Sequence, residues 1–209
     1  AGEAFGQQLV AAAMRASRRG AELTGKLLAF SRRQVLQPTA VDAGAMLHSL
    51  ADMLRRTLDQ RIRIEVRTEP GCPPVLADAG QLESALLNIA INARDAMPDG
   101  GALAFACVTL APLSPQLPDE LAGASDARHV EIRIADTGCG MTDEVKERAF
   151  EPFFTTKEAG RGTGLGLSTV YGFARQSRGA VTISSQPGAG TTLRLVLPCV
   201  QAEHRPDEG

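Results

Sequence analysis

Two hydrophobic periods divide this chain. Apolar residues recur at helical spacing from Gln7 to about Gln34, where Leu9, Ala12, Ala13, Ala16, Leu23, Leu27, Leu28 and Phe30 form a stripe and arginines fill the other face. Pro38 ends that pattern, and Asp42 reads as the N-cap of a second amphipathic helix through Met46, Leu50, Met53 and Leu54. "RIRIEVRT" (61–68) alternates instead and predicts a half-buried strand, whereas "EPGCPPVLADAG" after it reads as a loop. The strongest helical pattern runs from Gln81 to Met97 and is closed by "PDGG". Strands are predicted over Ala102–Leu110, "HVEIRIAD", "AVTISS" and "TTLRLVLP", with a short helix over Asp143–Phe150 and another helix from Leu165 onward.

This order predicts an α+β fold: a two-layer sandwich with a mixed, mostly antiparallel sheet, helices on one face, and a long N-terminal helix. The expected organisation is a partial helical region at 1–37, one domain at 38–200 and a frayed tail at 201–209. The segment from Pro112 to Arg128 reads as a variable surface loop. With 209 residues, 44% hydrophobic and 22% charged, the chain has an ordinary globular composition, and its net charge of -2 gives no electrostatic case for nucleic acid. Cys72, Cys107, Cys139 and Cys199 form no CxxC pair, so a reducing cytosol is the expected compartment. No leader or bilayer-spanning apolar run is visible, although the chain reads as a piece of something larger that could be membrane-anchored.

Five stretches carry candidate chemistry. In "GRGTGLGLSTVYG" a glycine run enters a helix N-terminus, which combines free backbone N–H groups with a positive dipole end and suits phosphate; alone, a flexible loop explains it equally well. It lacks the Lys-Ser/Thr of a P-loop and the preceding strand of a dinucleotide fingerprint. In "NIAINARDAM", Asn88 and Asn92 share a helix face, and an Asn side-chain oxygen can ligate Mg2+ or simply bond neighbouring backbone. In "IADTGCGM" a strand delivers Asp136 to its end, where a carboxylate can accept from an exocyclic amine such as that of adenine or initiate an ordinary turn. "FEPFFTTK" concentrates Phe150, Phe153 and Phe154 as a hydrophobic latch before Lys157. "PGAGTT" puts Thr191 and Thr192 at a strand start.

In this order and spacing the five stretches resemble the N, G1, F, G2 and G3 boxes of the sensor histidine kinase ATP-binding domain, a branch of the GHKL ATPases with the Bergerat-type fold. The resemblance covers about Gln37 to Pro198, and "RGAELTGKLLAFSRRQVLQP" is similar to the second helix of that family's dimerisation and phosphotransfer region. It implies ATP and Mg2+ as cofactors. Asn92, with Asn88 beside it, would be the metal ligand and Asp136 the adenine anchor, with Gly138 and Gly140 under the base. Lys157 would approach the γ-phosphate, and Gly162, Thr163, Gly164, Leu165 and Gly166 would form the lid's cradle. Thr191 and Thr192 would support the adenine pocket, and Arg94 would reach phosphate.

The resemblance also implies partners: a phosphoacceptor histidine helix of the parent kinase, a response regulator receiver domain, and a second copy in a homodimer. His48, His129 and His204 do not stand in the context of the family's phosphoacceptor histidine, so this stretch is expected to bind ATP without phosphorylating itself. Two other readings stay open. A GHKL ATP hydrolase would need a glutamate where Asn88 stands, and a non-catalytic phosphotransferase-like adaptor would show eroded glycine boxes.

Overall fold

The computed structural model describes Met14 and residues 36–112, 114–121, 127–157 and 162–200. The chain divides into two units, Ala1–Val35 and Leu36–Gly209. The expected N-terminal helix, apart from Met14, and the tail at 201–209 lie outside the described residues.

Local signals place the helices of the second unit. Asp42 caps α1 (Ala43–Thr57) by accepting from the Ala45 amide at 2.8 Å, and Asp78 caps α2 (Ala79–Asp95) by accepting from Gln81 at 3.0 Å. The second cap starts α2 two residues earlier than the apolar period indicates. Thr142 caps the short α3 (Asp143–Arg148), while α4 (Gly166–Gln176) begins at Leu165 with no side-chain cap.

Five strands form one sheet: β2 (Ile62–Thr68), β4 (Gly101–Leu110), β5 (His129–Asp136), β6 (Ala180–Ser185) and β7 (Thr191–Pro198), in the order β2-β4-β5-β7-β6. β2 and β4 are parallel because α2 carries the chain back between them; the other neighbours are antiparallel. Two strands were not legible as such. β1 (Thr39–Val41) and β3 (Val75–Ala77) pair with each other, Val41 against Val75, inside segments that read as a helix break and a loop. Three residues are too few to display a period of two.

The core fills the space between one sheet face and the helices. Leu47, Leu50 and Leu54 of α1, Leu82, Leu86 and Ile89 of α2, and Val170 and Phe173 of α4 meet Leu103, Phe105, Ile132, Ile134, Leu193 and Leu195. The opposite face is also covered. The segment expected to be a surface loop sets Leu117 and Leu121 against Leu110, Ala180 and Val196. On that face Glu131 is fully buried, accepting from Arg133 Nε at 2.9 Å and from Arg194 Nε at 2.8 Å, and Arg194 also donates to the Gln116 carbonyl at 2.7 Å. Among the described residues, no helix is long and apolar enough to cross a membrane.

Candidate functional site

Helix α2 carries both ends of the site. Its apolar stripe faces the core, so Asn88 and Asn92 are left half-buried on the flank, with Asp95 one turn beyond Asn92. Past the helix end, the Ala96 carbonyl accepts from the Cys139 amide at 3.0 Å, which seats the "DTGCGM" loop on the C-terminus of α2.

At that loop, strand β5 ends in Asp136, which is held between two backbone donors. Its Oδ1 accepts from Gly138 N at 2.8 Å and from Thr191 N at 3.3 Å. Burial pushes the Asp136 carboxyl above the ordinary aspartate range, and the two amides only partly offset this. Gly140 has φ +68°, and a side chain there would run into the Gln186 carbonyl of the β6–β7 turn.

Ser185 ties these loops together, a role the motifs do not announce. Its hydroxyl donates to the Gly190 carbonyl at 2.8 Å and accepts from the Met141 amide at 2.9 Å. With its single proton so used, it accepts from Thr191 Oγ1 at 2.9 Å. The available signal was its place on β6, where alternation sets a serine in line with Val181 and Ile183 on the core-facing side. Thr191 therefore stands at Asp136, opposite it in the strand register. Thr192, the next residue, faces the other side of the sheet and lines a polar groove of about 560 Å³ with Thr142, Lys146, Ser184 and Gln186.

The motifs expected to handle phosphate gather at Asn92. Lys157 Nζ lies 3.3 Å from Asn92 Oδ1 and 2.6 Å from Asp95 Oδ2. Arg94 turns to Asp95 as well, donating to Oδ1 from Nε at 2.8 Å and from Nη2 at 2.7 Å. Burial raises the Asp95 carboxyl, but the hydrogen bonds from Lys157 and Arg94 outweigh it and hold the group below the ordinary range. Gly166 opens α4 beside Asn92: a Cβ built on it would sit 3.5 Å from Asn92 Nδ2. Gly162 flanks the Lys157 stem in the same sense, at 3.2 Å from Cδ. Thr163 is exposed and accepts weakly from Leu165 N at 3.5 Å. Residues 158–161 of the glycine region lie outside the described residues.

Of the three phenylalanines before Lys157, Phe150 alone is seen packing against the core. Phe150 stacks obliquely on Tyr171 of α4 with centroids 5.4 Å apart, and the Arg148 guanidinium covers Phe154 at 4.3 Å. Phe153 remains 52% exposed.

Known proteins resemble this chain in sequence and in fold. The profile of the family described as histidine kinase-, DNA gyrase B-, and HSP90-like ATPase matches residues 77–201. The chain is 41% identical over 190 residues to the sensor kinase CckA of Brucella abortus (strain 2308), covering 91% of this chain and 20% of that protein. It is 38% identical over 138 residues to sporulation kinase E of Bacillus subtilis (strain 168), covering 65% of this chain and 16% of that one. Full-length ShkA in complex with AMPPNP matches with TM-score 0.70 and 25% identity, over 94% of this chain and 39% of that one. The fold also matches that of ThkA in complex with the response regulator protein TrrA, with TM-score 0.66 and 18% identity over 90% of this chain and 49% of that chain. The chain spans about a fifth of the length of these two curated relatives. With the Asp136 loop seated on the C-terminus of α2, Asn92 one turn back on the same helix with Lys157 against it, and a family profile covering more than half of its residues, the chain belongs to the histidine kinase-, DNA gyrase B- and HSP90-like ATPase family.

Proposed function

We propose that this chain is the ATP-binding catalytic portion of a two-component sensor histidine kinase. It would pass the γ-phosphoryl group of ATP to a histidine on the parent protein's phosphoacceptor helix, and from there to an aspartate of a response regulator receiver domain. The observation that carries the reading is the meeting of Asn92 and Lys157, 65 residues apart in sequence, at the mouth of the uncapped helix α4. The named relatives that are sensor and sporulation kinases support it.

In this reading Asp136 accepts a hydrogen bond from the adenine amine. Its Oδ1 is occupied by Gly138 and Thr191, which leaves Oδ2 for the base. The first N–H groups of α4 have no side-chain partner at Leu165 and point their donors at phosphate oxygens. Lys157 follows the γ-phosphate, and Gly162 leaves room for its stem to move. Asn92 holds Mg2+, and a cation fits beside it, because the Lys157 ammonium already lies against its Oδ1. When bound, the metal neutralises charge on the phosphate oxygens. Asn88 flanks Asn92 one turn earlier and lines the same face of α2. It stands where hydrolases of the family use a glutamate, and Glu83 on the same helix is exposed, which favours transfer over hydrolysis.

Calorimetric titration with AMPPNP, with and without Mg2+, tests the reading beside an Asp136→Ala control. Magnesium-assisted binding that the control loses supports it, and transfer of label from ATP to a supplied phosphoacceptor domain completes the test. A folded chain that binds no nucleotide would overturn it in favour of a docking adaptor.

A further inference from the structure

One cation of this site, the Lys157 ammonium, is held by two oxygens of α2. Asn92 Oδ1 and Asp95 Oδ2 stand three residues apart on the helix and converge on the same atom, Lys157 Nζ, at 3.3 and 2.6 Å. Arg94 engages the other oxygen of the carboxylate from two nitrogens. Its side chain is 26% exposed and that of Lys157 31%, so the cluster lies at a half-open mouth that ions can enter.

From this we infer that Asp95 is a second protein oxygen for the nucleotide's divalent cation, and that the Lys157 ammonium keeps the cation's place until nucleotide arrives. Binding is then an exchange. The pair of oxygens, an amide and a carboxylate of the hard type that Mg2+ and Mn2+ select, would hold the metal, and the displaced lysine would turn to the phosphates. Arg94 acts through Asp95 as a positioning residue, keeping Oδ2 aimed at Asn92. The inference rests on the reading of Asn92 as a metal ligand and adds a partner to it.

A simple salt bridge and a cation exchange make opposite forecasts. If Asp95 and Lys157 only brace the loop, removing either weakens nucleotide binding in the same direction. If they exchange, removing Asp95 lowers the metal's contribution and removing Lys157 raises it. The probe is ADP, which lacks the γ-phosphate and so leaves the lysine's own phosphate contact out of the measurement. Titrations of the 209-residue chain with ADP, without metal and with Mg2+ or Mn2+, give the metal-dependent gain in affinity as a ratio, and Mn2+ electron paramagnetic resonance reads the bound ion directly.

The expected result is a gain reduced about tenfold or more in Asp95→Asn and increased several-fold in Lys157→Ala. The Asp95→Asn loss must persist when Lys157 is already alanine, since a carboxylate that touches the ion does not need the lysine. A loss that vanishes in the Lys157→Ala background, or a gain unchanged in Asp95→Asn, overturns the inference while metal-free ADP binding keeps the nucleotide reading intact. Failure of the folded wild-type chain to bind ADP at all would bring down both.

Discussion

The Phe153 amide donates to the Gly164 carbonyl at 2.9 Å, and both residues sit at positive φ, +68° and +65°. This bond joins the segment that carries Lys157 to the base of helix α4. A Cβ on Gly164 would approach Phe153 Cα to 2.6 Å, so the contact is backbone against backbone with no side chain able to yield. Gly164→Ala is expected to cost roughly 1–3 kcal/mol in chemical denaturation. It should weaken AMPPNP binding more than ADP binding, because the displaced segment carries the lysine assigned to the terminal phosphate.

Asp136 predicts a trade between stability and function. A carboxyl whose folded pKa is raised penalises the fold once pH exceeds the unfolded value, because the unfolded chain ionises first. Asp136→Asn keeps an oxygen for Gly138 and Thr191 but removes the buried charge. Thermal denaturation at pH 7 should show the variant melting a few degrees higher, with the difference shrinking on acidification toward pH 4. Calorimetry should show adenine nucleotide affinity lowered about tenfold or more.

Glu131 has the opposite sign. Burial pushes its carboxyl up, but the hydrogen bonds from Arg194 and Arg133 prevail and hold it below the ordinary glutamate range. A depressed carboxylate contributes stability above its unfolded pKa and loses it as pH falls through the folded value. Glu131→Gln should therefore cost about 1–3 kcal/mol at pH 7 and progressively less below pH 4, read from denaturant midpoints at the two pH values.

Ser185→Ala removes one hydroxyl from three partners and leaves Met141 N and Gly190 O without it. The expected cost is roughly 1–3 kcal/mol. Amide hydrogen exchange should quicken at Met141 and Thr191 together, whereas a purely local effect would move only the β6–β7 turn.

The elements with a full period were legible because packing and sequence agree over many residues. The buried Leu82, Leu86, Ile89 and Ala93 of α2 follow the helical repeat from one cap to the other. What escaped depends on partners distant in sequence. β1 and β3 become strands only by finding each other, and residues 116–121 become a cover because Arg194 and Val196, far along the chain, face them. At the site, the boxes named Asn92, Asp136 and Lys157 as chemistry-bearing residues. They did not reveal that Asp95 holds Lys157, or that Ser185 ties Met141, Gly190 and Thr191 together beside Asp136, since an aspartate near a helix end and a serine at a strand end have many ordinary uses.

Helix α2 also acts as a ruler. Asn92 and Ala96 are four residues apart, a rise of about 6 Å, and one meets Lys157 while the other seats the loop beneath Asp136. On the proposed reading, the span between base recognition and phosphate handling is thus fixed by a single helical turn that cannot stretch, whatever the glycine segment does. Any adjustment to a longer or shorter phosphate chain falls to the Lys157 arm and the start of α4, and the measuring edge itself stays constant through the cycle.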